Sequence, residues 1–148
     1  MSNSIAEIKQ ANQVSFIMYH KSSSSGRTQF LRRQNGAVCV PDDMPSLSEV
    51  IEDETFQTGV VVHPAPLIKI VAQWLDVSED DIEIDSEYHE YVDIPDGPLS
   101  VRLARFTTID PPYAKAEAVG AKFVALTEML DTLPAELELL RRAYAVIM

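Results

Sequence analysis

The segment PLIKIVAQWL, residues 66–75, constrains the fold more than any other stretch of the chain. Its apolar side chains recur at the i, i+3, i+4 and i+7 positions of a helix, at Leu67, Ile70, Val71 and Trp74. Polar side chains occupy the opposite face, at Lys69, Gln73 and Asp76. This period of 3.6 residues predicts an amphipathic helix with one face in a core.

Runs of β-forming residues lie on both sides of this helix. VSFIMYH and TQFLRRQ, residues 14–20 and 28–34, flank a serine-rich turn and predict a hairpin. TGVVVHP, residues 58–64, predicts a buried strand because it is rich in β-branched side chains. YHEYVDI and LSVRLARFT, residues 88–94 and 99–107, predict a second hairpin around Pro-Asp-Gly-Pro.

Shorter elements complete the order. AVCVP and KFVAL, residues 37–41 and 122–126, are typical of short strands, and IEI at 82–84 predicts the start of another. DPPYAKAEAVG, residues 110–120, predicts a loop.

Helix signals mark four further segments. Ser4 and Glu7 have the spacing of a capping box and predict a helix over about residues 4–12, within an N-terminal extension, residues 1–13. Ser46 and Glu49 have the same spacing and predict a short acidic helix over residues 46–54.

Thr127 predicts the cap of a short helix, and Pro134 predicts the first turn of a terminal one. The predicted apolar stripe of that terminal helix is Leu137, Leu140, Tyr144 and Ile147. Together the elements predict an α+β fold, in which a mixed β-sheet packs between helices as one domain over residues 14–148.

Composition excludes several classes of function. The chain has 148 residues and a net charge of −11, and an acidic surface repels phosphate backbones, so we expect no nucleic acid polymer as a partner. No apolar stretch has the length of a membrane span, and we expect no membrane partner. The single cysteine, Cys39, and an N-terminus without a leader pattern favour a cytoplasmic location.

The C-terminal half, residues 66–148, resembles the Nudix hydrolase family. LSVRLARFTTIDPP is similar to that family's strand running into a variable loop, and GAKFVALTEMLDTLPAELELLRRAY is similar to its closing pattern. The resemblance implies an α/β/α sandwich. It also implies a box of glutamates on a helix that hold Mg²⁺ against a diphosphate.

The box pattern contains Arg-Glu-apolar-x-Glu-Glu, followed by x-Gly-apolar, and two registers are open for its position in this sequence. By element order the helix at 66–75 takes its place, and the arginine and three glutamates then become Lys69, Ile70, Gln73 and Trp74. None of these four is a carboxylate. This register implies a Nudix-like domain that has lost the Mg²⁺ ligands, needs no cofactor, and binds a ligand or a protein partner.

The other register is SEVIEDET, residues 48–55. It matches Glu-apolar-x-Glu-acidic, and the resemblance then makes Glu49, Glu52 and Asp53 catalytic Mg²⁺ ligands. Glu117 lies in the loop where Nudix enzymes often place a further catalytic carboxylate. This alternative implies a Mg²⁺-dependent hydrolase of nucleoside-diphosphate compounds.

Three residues are candidates for ligand binding in either register. His63 ends the predicted strand before the amphipathic helix, and Arg32 and Arg33 belong to the one basic cluster of an acidic chain. The plainer interpretation is that this basic cluster balances the charge of neighbouring aspartates and glutamates. The functional interpretation is that it binds an anionic ligand, such as a nucleotide-like small molecule. The predicted hairpin edges and the apolar terminal helix favour a homodimer.

Overall fold

A computed structural model describes residues 14–40, 44–45, 47–52, 65–95 and 97–148. The predicted N-terminal helix, the strand at 58–64 and the candidate residues Asp53 and His63 lie outside these ranges. The strands are β1 Val14–Lys21, β2 Thr28–Arg32, β3 Cys39–Val40, β4 Glu49–Val50, β5 Ile82–Ile94, β6 Gly97–Phe106 and β7 Lys122–Val124. The helices are α1 Ala65–Leu75, α2 Tyr113–Ala118 and α3 Pro134–Ile147, with 3-10 turns at Glu79–Asp81 and Leu126–Glu128.

The strands form one mixed sheet in the order β4-β5-β6-β1-β2-β7, and β3 pairs with β1. Strands β1 and β6 run parallel, and the remaining neighbours run antiparallel. Both predicted hairpins are confirmed: Tyr19 pairs with Phe30 in the first, and Val92 pairs with Leu99 in the second. The short strands at residues 39–40 and 122–124 are confirmed as well.

Helices cover both faces of this sheet. Side chains alternate along a strand, so Phe16 and Met18 of β1 join a core with α1 and α2, whereas Ile17 and Tyr19 join a core with α3. The predicted fold class, an α+β fold with a mixed sheet between helices, is confirmed.

Helix α1 matches its prediction in extent, but its buried face is rotated slightly. The fully buried residues are Leu67, Ile68, Val71, Ala72 and Leu75. Ile70 and Trp74 are half-buried at the edge of the α1-side core. The helix packs against the face of a sheet rather than in a single-seam bundle, so its contact stripe is wider than the four predicted positions.

The helix predicted over residues 46–54 is wrong for the residues that the structure describes. Glu49 and Val50 form β4, which pairs with Asp93 and Val92 of β5. Val50 is buried in the α3-side core, and the Ile51 amide donates to the Tyr91 carbonyl at 2.9 Å. Tertiary pairing along β5 therefore overrides the local capping signal of Ser46 and Glu49.

Two smaller corrections concern the C-terminal part. The loop predicted at 110–120 contains α2, which buries Ala116. Helix α3 buries Ala135, Glu136, Leu139, Leu140, Ala143 and Ile147, so of the predicted stripe Leu140 and Ile147 are confirmed, Leu137 is half-buried and Tyr144 is exposed.

Strand β5 carries an irregularity that positions α3. The pairing with β6 shifts between Asp85 and His89, and within this bulge Tyr88 turns into the α3-side core. Its hydroxyl donates to the Leu139 carbonyl at 2.9 Å. Burial raises the pKa of the Tyr88 hydroxyl, which therefore stays protonated and remains a donor.

Candidate functional site

The turn between β2 and β3, residues 33–37, forms the wall between two grooves at one end of the sheet. The Arg33 amide donates to Ala37, and the Gly36 amide donates back to Arg33, at 2.8 and 2.9 Å. Gly36 has φ +90°, a backbone conformation that favours glycine. The Asn35-Gly36 pair thus produces a tight turn, and the Asn35 side chain accepts from the Ala37 amide at 3.0 Å.

The first groove lies on the α1 side of this turn and has a volume of about 350 Å³. We call it the Trp74 groove. Its lining residues are Arg33, Gln34, Asn35, Trp74 and Val119. An aromatic ring, a guanidinium group and two amides therefore face one cleft, and none of the described lining side chains is a carboxylate.

The connection between α2 and β7 closes against this turn. Gly120 has φ +77°, and a Cβ atom at this position would approach Gln34 Oε1 to 2.7 Å. The positive φ favours glycine at this position, and any side chain there would also displace the end of Gln34.

The second groove lies on the α3 side, with a volume of about 550 Å³. We call it the Thr132 groove. Its lining residues are Arg32, Arg33, Gln34, Asn35, Gly36, Ala37, Met44, Lys122, Asp131, Thr132, Leu133 and Glu136. The two grooves share Arg33, Gln34 and Asn35 of the turn.

Charged side chains of the Thr132 groove are arranged around Arg32. Its guanidinium donates to the Gly36 carbonyl and to Asp131 Oδ1, both at 2.9 Å. The hydrogen bond from Arg32 lowers the pKa of the Asp131 carboxyl, and the positive charges of Arg32 and Lys122 lower it further. Asp131 is therefore ionised at neutral pH.

A buried carboxylate completes the base of this groove. Glu136, in the first turn of α3, is 3% exposed, and its Oε2 accepts from the Val38 and Cys39 amides at 3.0 Å each. These two bonds join α3 to β3 and the turn before it. Burial, with the nearby Glu136 charge, raises the pKa of the Cys39 thiol well above its usual range, so this cysteine is not a nucleophile.

The described residues of the predicted acidic site lie on different elements. Glu52 Oε2 accepts from Arg142 of α3 at 2.9 Å, and Arg142 also bonds Glu90 and Glu138 at 2.7 and 2.9 Å. Glu49 is exposed on β4. Glu117 is exposed on α2, which covers the opposite face of the sheet.

In the described part of the chain, no group of three or more histidine, cysteine, aspartate or glutamate side chains is arranged to hold a metal ion. Glu52 is already paired with Arg142, and the hydrogen bonds that Arg142 donates to Glu138, Glu90 and Glu52 raise the pKa of its guanidinium. Asp53, the third residue of the second register, lies outside the described residues, so the Mg²⁺ site of that register stays a prediction.

The first register places its four box positions on α1. Lys69 and Gln73 are exposed, while Ile70 and Trp74 pack at the edge of the α1-side core. Trp74, at the position of the last box glutamate, is the residue of this set that lines a groove.

Sequence reasoning identified Arg32 and Arg33, which the structure brings to the grooves. It missed Trp74, Lys122, Thr132 and Glu136 as groove residues. For Trp74 a signal existed in the sequence, because the first register places a tryptophan at the position of a metal-binding glutamate. Lys122 reaches the groove through the pairing of β7 with β2, and Thr132 reaches it through the loop before α3. No local sequence pattern indicates either placement.

Comparison with solved structures shows the fold. The chain resembles the crystal structure of a C. elegans Ap4A hydrolase, with a TM-score of 0.54 and 16% identity, over 93% of this chain and 99% of that chain. The Ap4A hydrolase is a Nudix enzyme, so the domain has a Nudix-like fold, as the sequence resemblance predicted. No protein-family profile matches the sequence, and a search of curated proteins finds no match.

Among the described helices, none combines the length and the apolar character that crossing a membrane requires.

Proposed function

We propose that this Nudix-like domain binds a nucleotide-like small molecule in the Trp74 groove, without the glutamate-held Mg²⁺ of the family's enzymes. The observation that carries the proposal is Trp74 itself. At the position where the first register would place a metal-binding glutamate, a half-buried indole lines a groove beside Arg33. The substitution exchanges a metal ligand for a stacking surface.

The lining residues match the parts of such a ligand. A purine or pyrimidine ring stacks on an aromatic side chain, and such contacts contribute roughly 1–3 kcal/mol per base. The amides of Gln34 and Asn35 can both donate and accept hydrogen bonds, as base edges require. Arg33 supplies positive charge for a phosphate. The groove volume of about 350 Å³ is in the lower range of small-molecule sites.

Tryptophan fluorescence tests the proposal directly, because Trp74 is the single tryptophan of the chain. We expect nucleoside diphosphates and dinucleoside polyphosphates to change the emission saturably, equally with Mg²⁺ and with EDTA. By calorimetry, Trp74→Leu should weaken binding about tenfold, which corresponds to one lost stacking contact. Lys115→Gln on α2 is the control and should change nothing.

Two outcomes would remove the proposal: no saturable change in emission at millimolar ligand, or binding that disappears with EDTA. The second outcome would favour the alternative, a Mg²⁺-dependent hydrolase that uses Glu49, Glu52 and Asp53. The Glu-apolar-x-Glu-acidic match of residues 49–53 supports that alternative. It requires that Mg²⁺ with a dinucleoside polyphosphate gives product and that Glu52→Gln abolishes it.

A further inference from the structure

We propose that the Thr132 groove is a separate binding site for a phosphate-type oxyanion, held by side chains without a metal ion. The inference goes beyond the ligand proposed for the Trp74 groove and does not depend on it. It rests on a hydroxyl group without a partner among the described residues, a pair of like charges, and an exposed carboxylate that is bonded to one of that pair.

Thr132 carries the first observation. The residue is 7% exposed and lines the groove, and its Oγ1 is buried with no hydrogen-bond partner among the described residues. Its amide is used, donating to the Met129 carbonyl at 3.0 Å. A buried polar group without a partner is unfavourable by about 1–3 kcal/mol. A ligand oxygen in the groove offers the missing partner after rotation about the Cα–Cβ bond of Thr132.

The second observation is the pairing of Arg32 with Lys122. These residues are direct partners in the antiparallel ladder of β2 and β7, and their side chains lie on the same face of the sheet. Like charges directly opposite each other are destabilising. Both side chains line the Thr132 groove, so an anion between them would turn repulsion into two attractions.

Asp131 is the present partner of Arg32, and Lys122 acts electrostatically on the same carboxylate. Its Oδ1 lies 2.9 Å from Arg32 Nη2, yet its side chain is 77% exposed. An ion pair this exposed is weak. A phosphate carries more charge and more acceptor oxygens than one carboxylate, so it can replace Asp131 at the guanidinium. Arginine favours such ligands because its planar group donates two parallel hydrogen bonds.

The other charges of the groove define its selectivity. Glu136 also lines it, but two backbone amides already bind its Oε2. Arg33 adds positive charge at the turn. The groove is large enough, at about 550 Å³, for pyrophosphate as well as phosphate. The geometry thus points to a compact tetrahedral oxyanion with at least two negative charges.

Calorimetry with inorganic pyrophosphate in EDTA tests the inference. We expect saturable binding by the unmodified chain. Lys122→Gln and Thr132→Val should each weaken it about tenfold, the effect of losing one charged or buried hydrogen bond. Asp131→Asn should strengthen it several-fold, since the competing negative charge is removed.

Matched controls separate a site from general charge effects. Lys115→Gln and Glu87→Gln make the same charge changes on exposed residues outside the groove, and we expect them to leave the affinity unchanged. No binding at millimolar pyrophosphate would overturn the inference. It would also be overturned if the controls shifted the affinity as much as the groove variants, or if Thr132→Val, folded by circular dichroism, bound normally.

The two proposals fail in different ways. If pyrophosphate binds Trp74→Leu with unchanged affinity, the oxyanion site stands by itself, whatever the result with nucleotides. If nucleotides bind at Trp74 but pyrophosphate does not bind, the oxyanion site is wrong and the Trp74 groove is unaffected.

Discussion

The two long helices are fixed to the sheet by different kinds of interaction. Helix α1 buries only apolar side chains, Leu67, Ile68, Val71, Ala72 and Leu75. Helix α3 also buries apolar side chains, but directional bonds position it as well. Glu136 binds two amides at its start, the Leu139 carbonyl accepts from Tyr88, and Arg142 binds Glu90 of β5.

This difference indicates how each groove is maintained. Apolar burial is strong but non-directional, so α1 can adjust its position without losing a specific bond. Hydrogen bonds fix distance and direction, and those at Glu136, Leu139 and Arg142 locate α3 at three positions along its length. We therefore expect the Thr132 groove, beside the start of α3, to have the more rigid walls, and the Trp74 groove to adapt to its ligand.

The largest expected change in stability concerns the apolar contacts of α1. Leu67→Ala removes a fully buried side chain from the α1-side core. It should lower the free energy of unfolding by about 3 kcal/mol, because lost apolar burial and a residual cavity add together. Urea denaturation followed by circular dichroism measures it.

Ile70→Ala on the same helix is the control for Leu67→Ala. Ile70 is half-buried, so its truncation should have a clearly smaller effect. Equal effects of the two variants would show that α1 is not seated on the sheet as described.

The second-largest expected effect tests the hydrogen bonds that position α3. Glu136→Leu leaves the Val38 and Cys39 amides without their shared acceptor, and it should lower the free energy of unfolding by about 2 kcal/mol. Glu136→Gln keeps an acceptor oxygen, so it should recover part of this loss. The same urea experiment measures both variants.

One result would contradict the prediction for Glu136→Leu. Removal of the charge also removes its desolvation cost, and a leucine of similar size can pack well. A stable Glu136→Leu variant would therefore mean that the two amide bonds only compensate for burial, and that α3 is held, like α1, by apolar contacts.

The sequence predicts those parts of the fold that depend on neighbouring residues. The hairpins of β1–β2 and β5–β6 follow from β-forming runs separated by turn residues, and α1 follows from its 3.6-residue period. In each case local preference and tertiary packing agree.

The failures arise where distant pairing decides the structure. Glu49 and Val50 form a strand because β5 offers them partners, although Ser46 and Glu49 have a helical capping pattern. Glu136 was not predicted as a core residue, because an acidic side chain on a helix is usually solvated. The backbone amides of Val38 and Cys39, brought close by the fold, offset the cost of its burial.

The candidate site is predictable to a smaller degree than the fold. Arg32 and Arg33 stand out in an acidic chain, but Lys122 faces Arg32 only through the β2–β7 register. The partnerless hydroxyl of Thr132 is a property of packing and leaves no trace in the sequence. Likewise, the pairing of Glu52 with Arg142 becomes visible only when β4 lies beside α3.

The smallest expected effect concerns that last pairing. Arg142 is 24% exposed in its side chain and contacts Glu52, Glu90 and Glu138, whose side chains are 82%, 22% and 40% exposed. Water and salt screen such pairs, so Arg142→Gln should lower the free energy of unfolding by only about 1 kcal/mol. The bond to Glu90 should account for most of it, because that partner is the least exposed.

A double-mutant cycle of Arg142→Gln with Glu90→Gln, repeated with Glu52→Gln, measures the two couplings separately. The Glu90 coupling should exceed the Glu52 coupling, and both should shrink in 1 M salt, where the screening length is roughly 3 Å. The hydrogen bonds raise the pKa of Arg142, so this contribution is fully present below the ordinary arginine pKa and is lost as the pH rises from there through the raised pKa, at strongly alkaline pH. A larger coupling to Glu52 would mean that Arg142 chiefly fixes the end of β4. The hydrogen bonds that position α3 would then be those of Glu136 and the bond from Tyr88 to Leu139, both in the first half of that helix.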